Sequence, residues 1–559
     1  MTISQFKGRL PCRITERNFG RGESKNAMKA RWSCSFLLAY RRRRLSFNNA
    51  IKCCGSTGDQ HTSDHISLSS SSIRKRSDSN DASVVTDGIL DSTRTPLTSQ
   101  SSLQSVQTEL IMLALPAIVG QAIEPLAQLM ETAFIGRLEL LEDLHPYLFN
   151  CAYQLASAAV SITIFNIISK VFNIPLLSVA TSFVAEDISE TRKEFASDES
   201  AERQFLPSVS TALLLALAIG IFEASAMYMG SAVFVNIMGL SSASPMYIPA
   251  QKFLSVRAIG APAVVVSLAI QGIFRGFKDT KTPVLCLGLG NLSAIFLFPI
   301  LMYSYGLGVT GAAISTVLSQ YIVAILMIWH LNKRTVLLLP GIKNLQFGGY
   351  LKSGGFLLGR TLVSVMTITL STSMAARLGP LALAAHQICL QVWLSVSLLF
   401  DAQAASGQAL IASSLAKGDY ARVKEITYCT LKTGLFTGIS LAVILGASFG
   451  SLATLFTRDK EVLRIIRSVL LLVSSSLPIT ALAYTFDGLH YGISDFSYAA
   501  FSMMVVGAVS SAFLLFASSV MGLSGVWTGL ALFMGLRTGA GLLRISSKNG
   551  PWFFLQERH

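Results

Sequence analysis

Charge is scarce in this chain. Only 14% of its 559 residues are Asp, Glu, Lys or Arg, against 51% hydrophobic residues, a balance that excludes an ordinary soluble surface and suits a polytopic helical membrane protein. No G-x-x-x-x-G-K-[ST] phosphate loop is present, which argues against an ATP-driven pump, and no H-E-x-x-H helix, which argues against a membrane zinc protease. A TVGYG-like ion filter is likewise missing. Of the eight cysteines, Cys12, Cys34, Cys53 and Cys54 crowd the N-terminal region, while Cys151, Cys286, Cys389 and Cys429 are isolated. Without a C-x-x-C pair outside that region, neither zinc nor a disulfide framework is indicated. Acids are almost absent up to Cys53, where 13 Lys or Arg face only Glu16 and Glu23. Those residues supply +11 of the +14 net charge, and the remainder of about +3 excludes a nucleic-acid binder. Gly446-Ala-Ser-Phe-Gly450 fits the G-x-S-x-G pattern inside an apolar run, and Gly306-Leu-Gly-Val-Thr-Gly311 fits G-x-G-x-x-G without βαβ context. Both read as helix packing or an inter-span loop.

The basic opening includes Arg41 to Arg44 and runs into a Ser-rich stretch from Ser63 to Ser83, with no apolar segment of signal-peptide length. It reads as an organelle transit peptide, plastid before mitochondrion; the alternative is a disordered cytosolic tail with a basic patch.

Beyond this leader the chain is a two-fold internal repeat. Pro262, Gly272, Gly276 and Asp279 recur as Pro478, Gly488, Gly492 and Asp495, all at an offset of 216 residues, and Gly308 and Gly311 recur as Gly522 and Gly525. A spanning helix needs about 20 apolar residues. Twelve candidate spans come after Leu110, at roughly 110–135, 155–185, 206–238, 247–274, 283–304, 309–331, 350–377, 381–412, 424–456, 461–486, 498–520 and 522–544. The expected fold is therefore all-α and membrane-integral, with twelve helices in two six-helix lobes. The expected boundaries are 1–105 for the leader, 106–332 for the N-lobe, 333–545 for the C-lobe and 546–559 for a C-terminal tail. Six spans per half is an even number, so the repeats are parallel about an axis along the membrane normal, the plan of many secondary transporters. Basic residues favour the even-numbered loops and place both termini and the central loop on one side.

Polar residues form stripes within the spans. Gln121, Glu124, Gln128 and Glu131 lie along one face of the first span; Arg360, Ser364, Thr367 and Ser371 do so in the seventh, and Gln387, Gln391, Ser395, Asp401 and Gln408, beside His386, in the eighth. Asn166 and Asn173 lie in the second span, Gln271 in the fourth, Asn291 in the fifth and Asp487 in the tenth. A charge at the centre of a span costs about 2.5–3.5 kcal/mol and usually faces a cavity or a partner. Ser, Thr, Asn and Gln can instead be glue between helices, at about 0.6–2 kcal/mol per bond.

Pro125 to Leu138 (P-L-A-Q-L-M-E-T-A-F-I-G-R-L) resembles the first-helix signature of multidrug and toxic compound extrusion (MATE) transporters. Further matches are Leu176 to Glu186, Arg275 to Pro283 (R-G-F-K-D-T-K-T-P), Gly308 to Ala313 and Ala384-Ala-His-Gln387. The resemblance covers about residues 105–545 and is nearest to plastid-targeted plant "DETOXIFICATION" members, close to the branch that includes citrate exporters. It implies a V of two lobes that rock while exchanging organic solutes for protons or sodium. By position it implies that Glu131 and Asn291 belong to an N-lobe coupling site. Asp401 and Asp487 are the C-lobe candidates. Gln128, Asn166, Asn173, Gln271, Arg360, His386 and Gln391 are expected to line the substrate cavity, with Arg360 a counter-charge for an anionic substrate. Two departures stand out. Phe298 replaces an acid that many members carry seven residues after the asparagine, and 139–154 is an extra segment unlike the family. The chain is thus expected to be a monomeric antiporter in a plastid envelope membrane and no enzyme. Its partners are small organic solutes and lipids, and it needs no cofactor or metal beyond the coupling H+ or Na+. The rival readings are a lipid or polyprenyl flippase and a membrane-embedded enzyme. In the antiporter reading, Glu131 sits in a mostly apolar surround.

Overall fold

The computed structural model describes residues 95–137, 151–194, 206–238, 240–337, 345–457, 459–547 and 550–555. The transit-peptide reading and most of the extra segment at 139–154 lie outside the described residues. The helices are α1 (Thr95–Arg137), α2 (Cys151–Glu194), α3 (Pro207–Ile237), α4 (Tyr247–Ala258), α5 (Ala261–Gly276), α6 (Lys281–Pro299) and α7 (Gly308–Asn332). The second half holds α8 (Phe347–Arg377), α9 (Pro380–Ala416), α10 (Tyr420–Phe456), α11 (Lys460–Gly492) and α12 (Phe496–Ser546).

These elements amount to twelve spans. Ten helices are long and apolar enough to cross a bilayer, and α4 with α5 makes one further span bent by 46°. The last helix, α12, has 51 residues, about 76 Å at 1.5 Å per residue, far more than a bilayer of about 30 Å needs. It is two helices joined at Gly522, whose φ of 59° and ψ of −135° interrupt the helix. That backbone region is essentially closed to side chains other than glycine's. Its repeat mate Gly308 also has positive φ, 53°.

The repeat extends to the hydrogen bonds. Helix α5 ends with Lys278 N–H donating to Arg275 O and Asp279 N–H to Phe274 O; α11 ends with Ser494 N–H to Tyr491 O and Asp495 N–H to His490 O. This is the Schellman closure, in which a left-handed residue satisfies the last carbonyls. The left-handed residues are Lys278 and Ser494, both at φ 59°. Close helix approach repeats as well, each time against the matched proline: a Cβ on Gly220 would lie 2.6 Å from Pro262 Cα, and one on Gly438 2.8 Å from Pro478 Cα. The two copies differ at the bend. Helix α11 runs through Pro478, whereas the N-lobe copy breaks at Ile259 and Gly260, just before Pro262. After Pro299, which has no N–H to donate, the ladder slips to a π turn over Ile300–Ser304, with Tyr305 N–H on Ile300 O.

Hydrogen bonds between the lobes cluster at one end, the end that bears the even-numbered basic loops. Gln408 Nε2 of α9 donates to Ser178 O and Ser182 Oγ of α2, both at 2.8 Å, and Ser182 Oγ donates to Tyr491 O at 2.7 Å. Ser494 Oγ donates to Glu186 at 2.6 Å, and Ser189 Oγ to Ser413 O at 3.2 Å. Glu109 of α1 takes Lys278 from its own lobe at 2.9 Å and Arg422 from the other at 2.7 Å. Apolar packing completes the closure: Val106, Leu110 and Leu113 of α1 join Leu410, Ile426 and Leu489 of the C-lobe. Trp552 and Phe554, from the expected tail, are buried in the same cluster.

Candidate substrate and coupling sites

In the N-lobe, Glu131 is 1% exposed. Its Oε1 accepts the Thr316 hydroxyl of α7 at 3.0 Å, and its Oε2 lies 3.9 Å from Arg257 Nη1 of α4. Arg257 is buried too, and its guanidinium sits over the Phe165 ring at 5.0 Å. The mostly apolar surround expected for Glu131 is therefore corrected: a guanidinium from a helix 126 positions further along the chain faces it. The pair is neutral as a unit, so the carboxylate's desolvation is offset internally. Asn291 uses its amide within its own helix, donating to Leu287 O at 2.9 Å. Gln128 Oε1 accepts from Asn166 Nδ2 at 3.3 Å, joining α1 to α2. Asn173 is 2% exposed and donates to Ser169 Oγ at 2.6 Å, so it packs inside its lobe. Glu223 of α3 is fully buried, and neither carboxyl oxygen has a partner among the described residues.

In the C-lobe, Asp487 Oδ2 accepts from two arginines, Arg360 of α8 and Arg537 of α12. The expected counter-charge for a substrate already holds an internal carboxylate. His386 is fully buried, within 3.3 Å of Thr372 Oγ1 and tilted against the Trp527 ring. Gln391, one turn on, is exposed. Asp401 accepts from Gln121 Nε2 of α1 at 2.8 Å, so this C-lobe carboxylate reaches across to the other lobe. Gln271 lines a crevice with Gln121, Arg275 and Thr280 beside that bond. The structure thus gathers Gln121, Asp401 and Gln271 at the lobe junction, keeps Glu131 and Asp487 inside separate lobes, and joins neither to Asn291 by a hydrogen bond.

Arg257, Thr316 and Arg537 escaped the sequence reading. The two arginines carried a usable signal, a charge within a long apolar run, but nothing in the sequence says which distant residue such a charge will meet. Thr316 carried none, since hydroxyls inside spans are common.

The MatE family profile matches residues 200–300 and 357–506. Protein DETOXIFICATION 45, chloroplastic, of Arabidopsis thaliana is 60% identical over 460 residues, 80% of this chain and 80% of that protein. Protein DETOXIFICATION 44, chloroplastic, of the same organism is 45% identical, covering 82% of this chain and 88% of its own length. Among solved structures, the Vibrio cholerae MATE transporter VcmN in its bent form matches with a TM-score of 0.67 at 17% identity, over 79% of this chain and 97% of that one.

Proposed function

The chain belongs to the MatE family of membrane transporters, which are not enzymes, and from that premise we propose that it is a cation-coupled antiporter of organic solutes, organic anions before others, in a plastid envelope. The names of its chloroplastic relatives and the basic leader support the address. The observation that carries the reading is the one-ended fastening of the lobes. They are joined by hydrogen bonds at the end of the basic loops, which is one of the two states that alternating access requires. By the excess of positive charge on its loops this end faces the inside of the compartment.

Glu131 is the coupling carboxylate in this mechanism, with Arg257 and Thr316 as its partners and Asn291 on the neighbouring α6. Protonation of Glu131, or its capture of a sodium ion, discharges the attraction to Arg257. The helices that carry the pair, α1 and α4, are then free to repack, and the cation need only bind the two lobe arrangements unequally to drive the exchange. Asp401 ties α9 to Gln121 of α1, so a change at either residue registers at the lobe junction. Gln128, Asn166, Gln271 and Gln391 present amides to the solute, and lipids solvate the exposed apolar faces of a monomer.

The test is counterflow in proteoliposomes with organic anions, amines and flavonoids, under imposed pH and sodium gradients. Uphill accumulation of an unmodified solute under either gradient is the expected result. Solute that equilibrates without accumulating under both gradients would overturn the antiport reading, and bilayer lipid moved in its place would favour a flippase.

A further inference from the structure

The C-lobe holds three charges, two of them buried, at positions where the N-lobe holds none. Arg360 and Arg537 donate to the same oxygen, Asp487 Oδ2, and the two arginines are 8% and 9% exposed. Two guanidiniums against one carboxylate leave one positive charge in excess. Each guanidinium carries five N–H donors in a rigid fork, and the Nε of both is buried with no partner among the described residues. Aromatic rings cover part of the surplus: Arg360 lies 5.4 Å from the Tyr491 ring, and Arg537 5.3 Å from Tyr484 and 5.5 Å from Phe533. Such contacts contribute about 0.5–2 kcal/mol each, and the excess cation still lacks an anion. His490, with both ring nitrogens unpartnered among the described residues, shares a crevice with Asp487 and Arg537.

The internal repeat supplies a control for a purely structural role. At the offset of 216, Asp487 corresponds to Gln271; at the offset of 214 set by Gly308 and Gly522, Arg537 corresponds to Val323. Arg137 and Arg377 end the first helix of each half, α1 and α8, and counting back 17 residues from each sets Arg360 against Gly120. The N-lobe builds the same helices with the same glycine contacts and no charge at these three places. The scaffold does not require them.

We infer that Arg360 and Arg537 form a binding site for the carboxylate of a transported organic anion, and that Asp487 is its tethered stand-in, holding the guanidinium donors until the substrate's carboxylate displaces it. This rests on the antiport reading for the word "transported" and deepens it by narrowing the organic anions to carboxylates and naming their anchor. A carboxylate matches the planar fork of a guanidinium in two-pronged fashion, which an ammonium or an amide of similar size cannot. The Asp487 side chain is 19% exposed against 9% and 8% for the arginine side chains, so the aspartate is the member nearest open space and the one able to swing aside. An internal competitor also keeps the site from binding so tightly that it cannot release. The opposite signs of the expected effects are the signature of displacement: losing an arginine weakens anion binding, and losing the aspartate strengthens it.

The experiment is equilibrium binding of labelled citrate, used as a tricarboxylate probe, to the full chain in lipid nanodiscs, with benzoate, benzamide and benzylamine as competitors matched in size. Arg360→Gln and Arg537→Gln should each weaken binding by roughly tenfold or more, the scale of a lost charged two-pronged bond. Asp487→Asn should tighten it several-fold, and benzoate alone should compete. Absence of citrate and benzoate binding, equal competition by benzylamine, or loss of affinity in a folded Asp487→Asn variant would each overturn the site. If the glutamine variants fail to fold, Arg360→Lys and Arg537→Lys keep the charge and lose the fork, and unchanged affinity in both would also overturn it. Gradient-driven movement in proteoliposomes is scored separately. Binding with these signatures but no uphill movement sinks the antiport reading and leaves the site standing, and uphill movement with anion binding indifferent to the arginines does the reverse.

Discussion

Lys278 and Ser494 occupy the same left-handed turn, one after α5 and one after α11, and both side chains reach a carboxylate. Lys278 pairs with Glu109 at 2.9 Å, and Ser494 donates to Glu186 of the other lobe at 2.6 Å. A non-glycine residue at that φ carries about 1–2 kcal/mol of strain. Ser494→Ala keeps the strain and removes the bond, whereas Ser494→Gly removes both. The glycine variant should therefore melt above the alanine variant, while both loosen the closed end equally. Spin labels at Lys281 and Lys417 would read that loosening as a longer distance population. Identical melting of the two variants would contradict the strain assignment.

Glu131→Gln keeps shape and hydrogen-bonding capacity but fixes the group neutral. Solute binding should survive without its pH or sodium dependence, and gradient-driven accumulation should fall roughly tenfold or more, about 1.4 kcal/mol of lost coupling. Full accumulation at normal abundance would remove Glu131 from the coupling role and pass it to Asp401, Asp487 or Glu223.

The Glu131–Arg257 pair also makes a prediction about assembly. Removing one partner strands a buried charge at a cost of about 3–5 kcal/mol, while removing both is close to neutral. Glu131→Gln alone should lower thermal stability, Arg257→Gln alone likewise, and the double variant should recover most of the loss. Additive losses in a double-mutant cycle would show that the 3.9 Å separation carries no coupling.

Gly220→Ala places a methyl 2.6 Å from Pro262 Cα, and Gly438→Ala places one 2.8 Å from Pro478 Cα. Backbone atoms cannot yield as a flexible side-chain tip can, so each should cost about 1–3 kcal/mol of stability. Gly288→Ala, with nothing within 4 Å, is the control and should be neutral or stabilising. Melting curves of the purified variants decide between the two groups.

Asp279 lies in the turn between α5 and α6. Burial pushes its carboxyl pKa up, but hydrogen bonds from Thr282 and Lys281 and the nearby Arg334 outweigh burial and hold it below the usual carboxylate value. A depressed folded pKa contributes stability above the unfolded value of about 4 and loses it as pH falls through the folded one. Asp279→Asn should thus destabilise at pH 7, and the gap to the parent chain should close below about pH 4. A gap that persists at low pH would assign the effect to lost geometry rather than charge.

The twelve spans and the parallel repeat were legible because they rest on local chemistry, apolar length and matched glycines, prolines and aspartates; the left-handed conformation at Lys278 and Ser494 was not, since neither residue is a glycine. Span eleven met span twelve at the glycine that the repeat singled out. The polar stripe and the family resemblance also brought Glu131 forward, and its place in an apolar run did so for Asp487. Their partners were not legible. Arg257 lies 126 residues from Glu131 and Arg537 lies 50 from Asp487, and no periodicity in one helix reports which face of another will meet it.

The sequence by itself determined that this chain is a duplicated bundle of membrane helices, since hydrophobic length and turn chemistry act within a few residues of themselves. Only the tertiary structure decided how its buried charges balance. The N-lobe pairs one acid with one arginine, and the C-lobe sets two arginines on one acid. The reason is physical: a buried charge is stable only through what packs around it, and that is a property of helices brought together from distant parts of the chain.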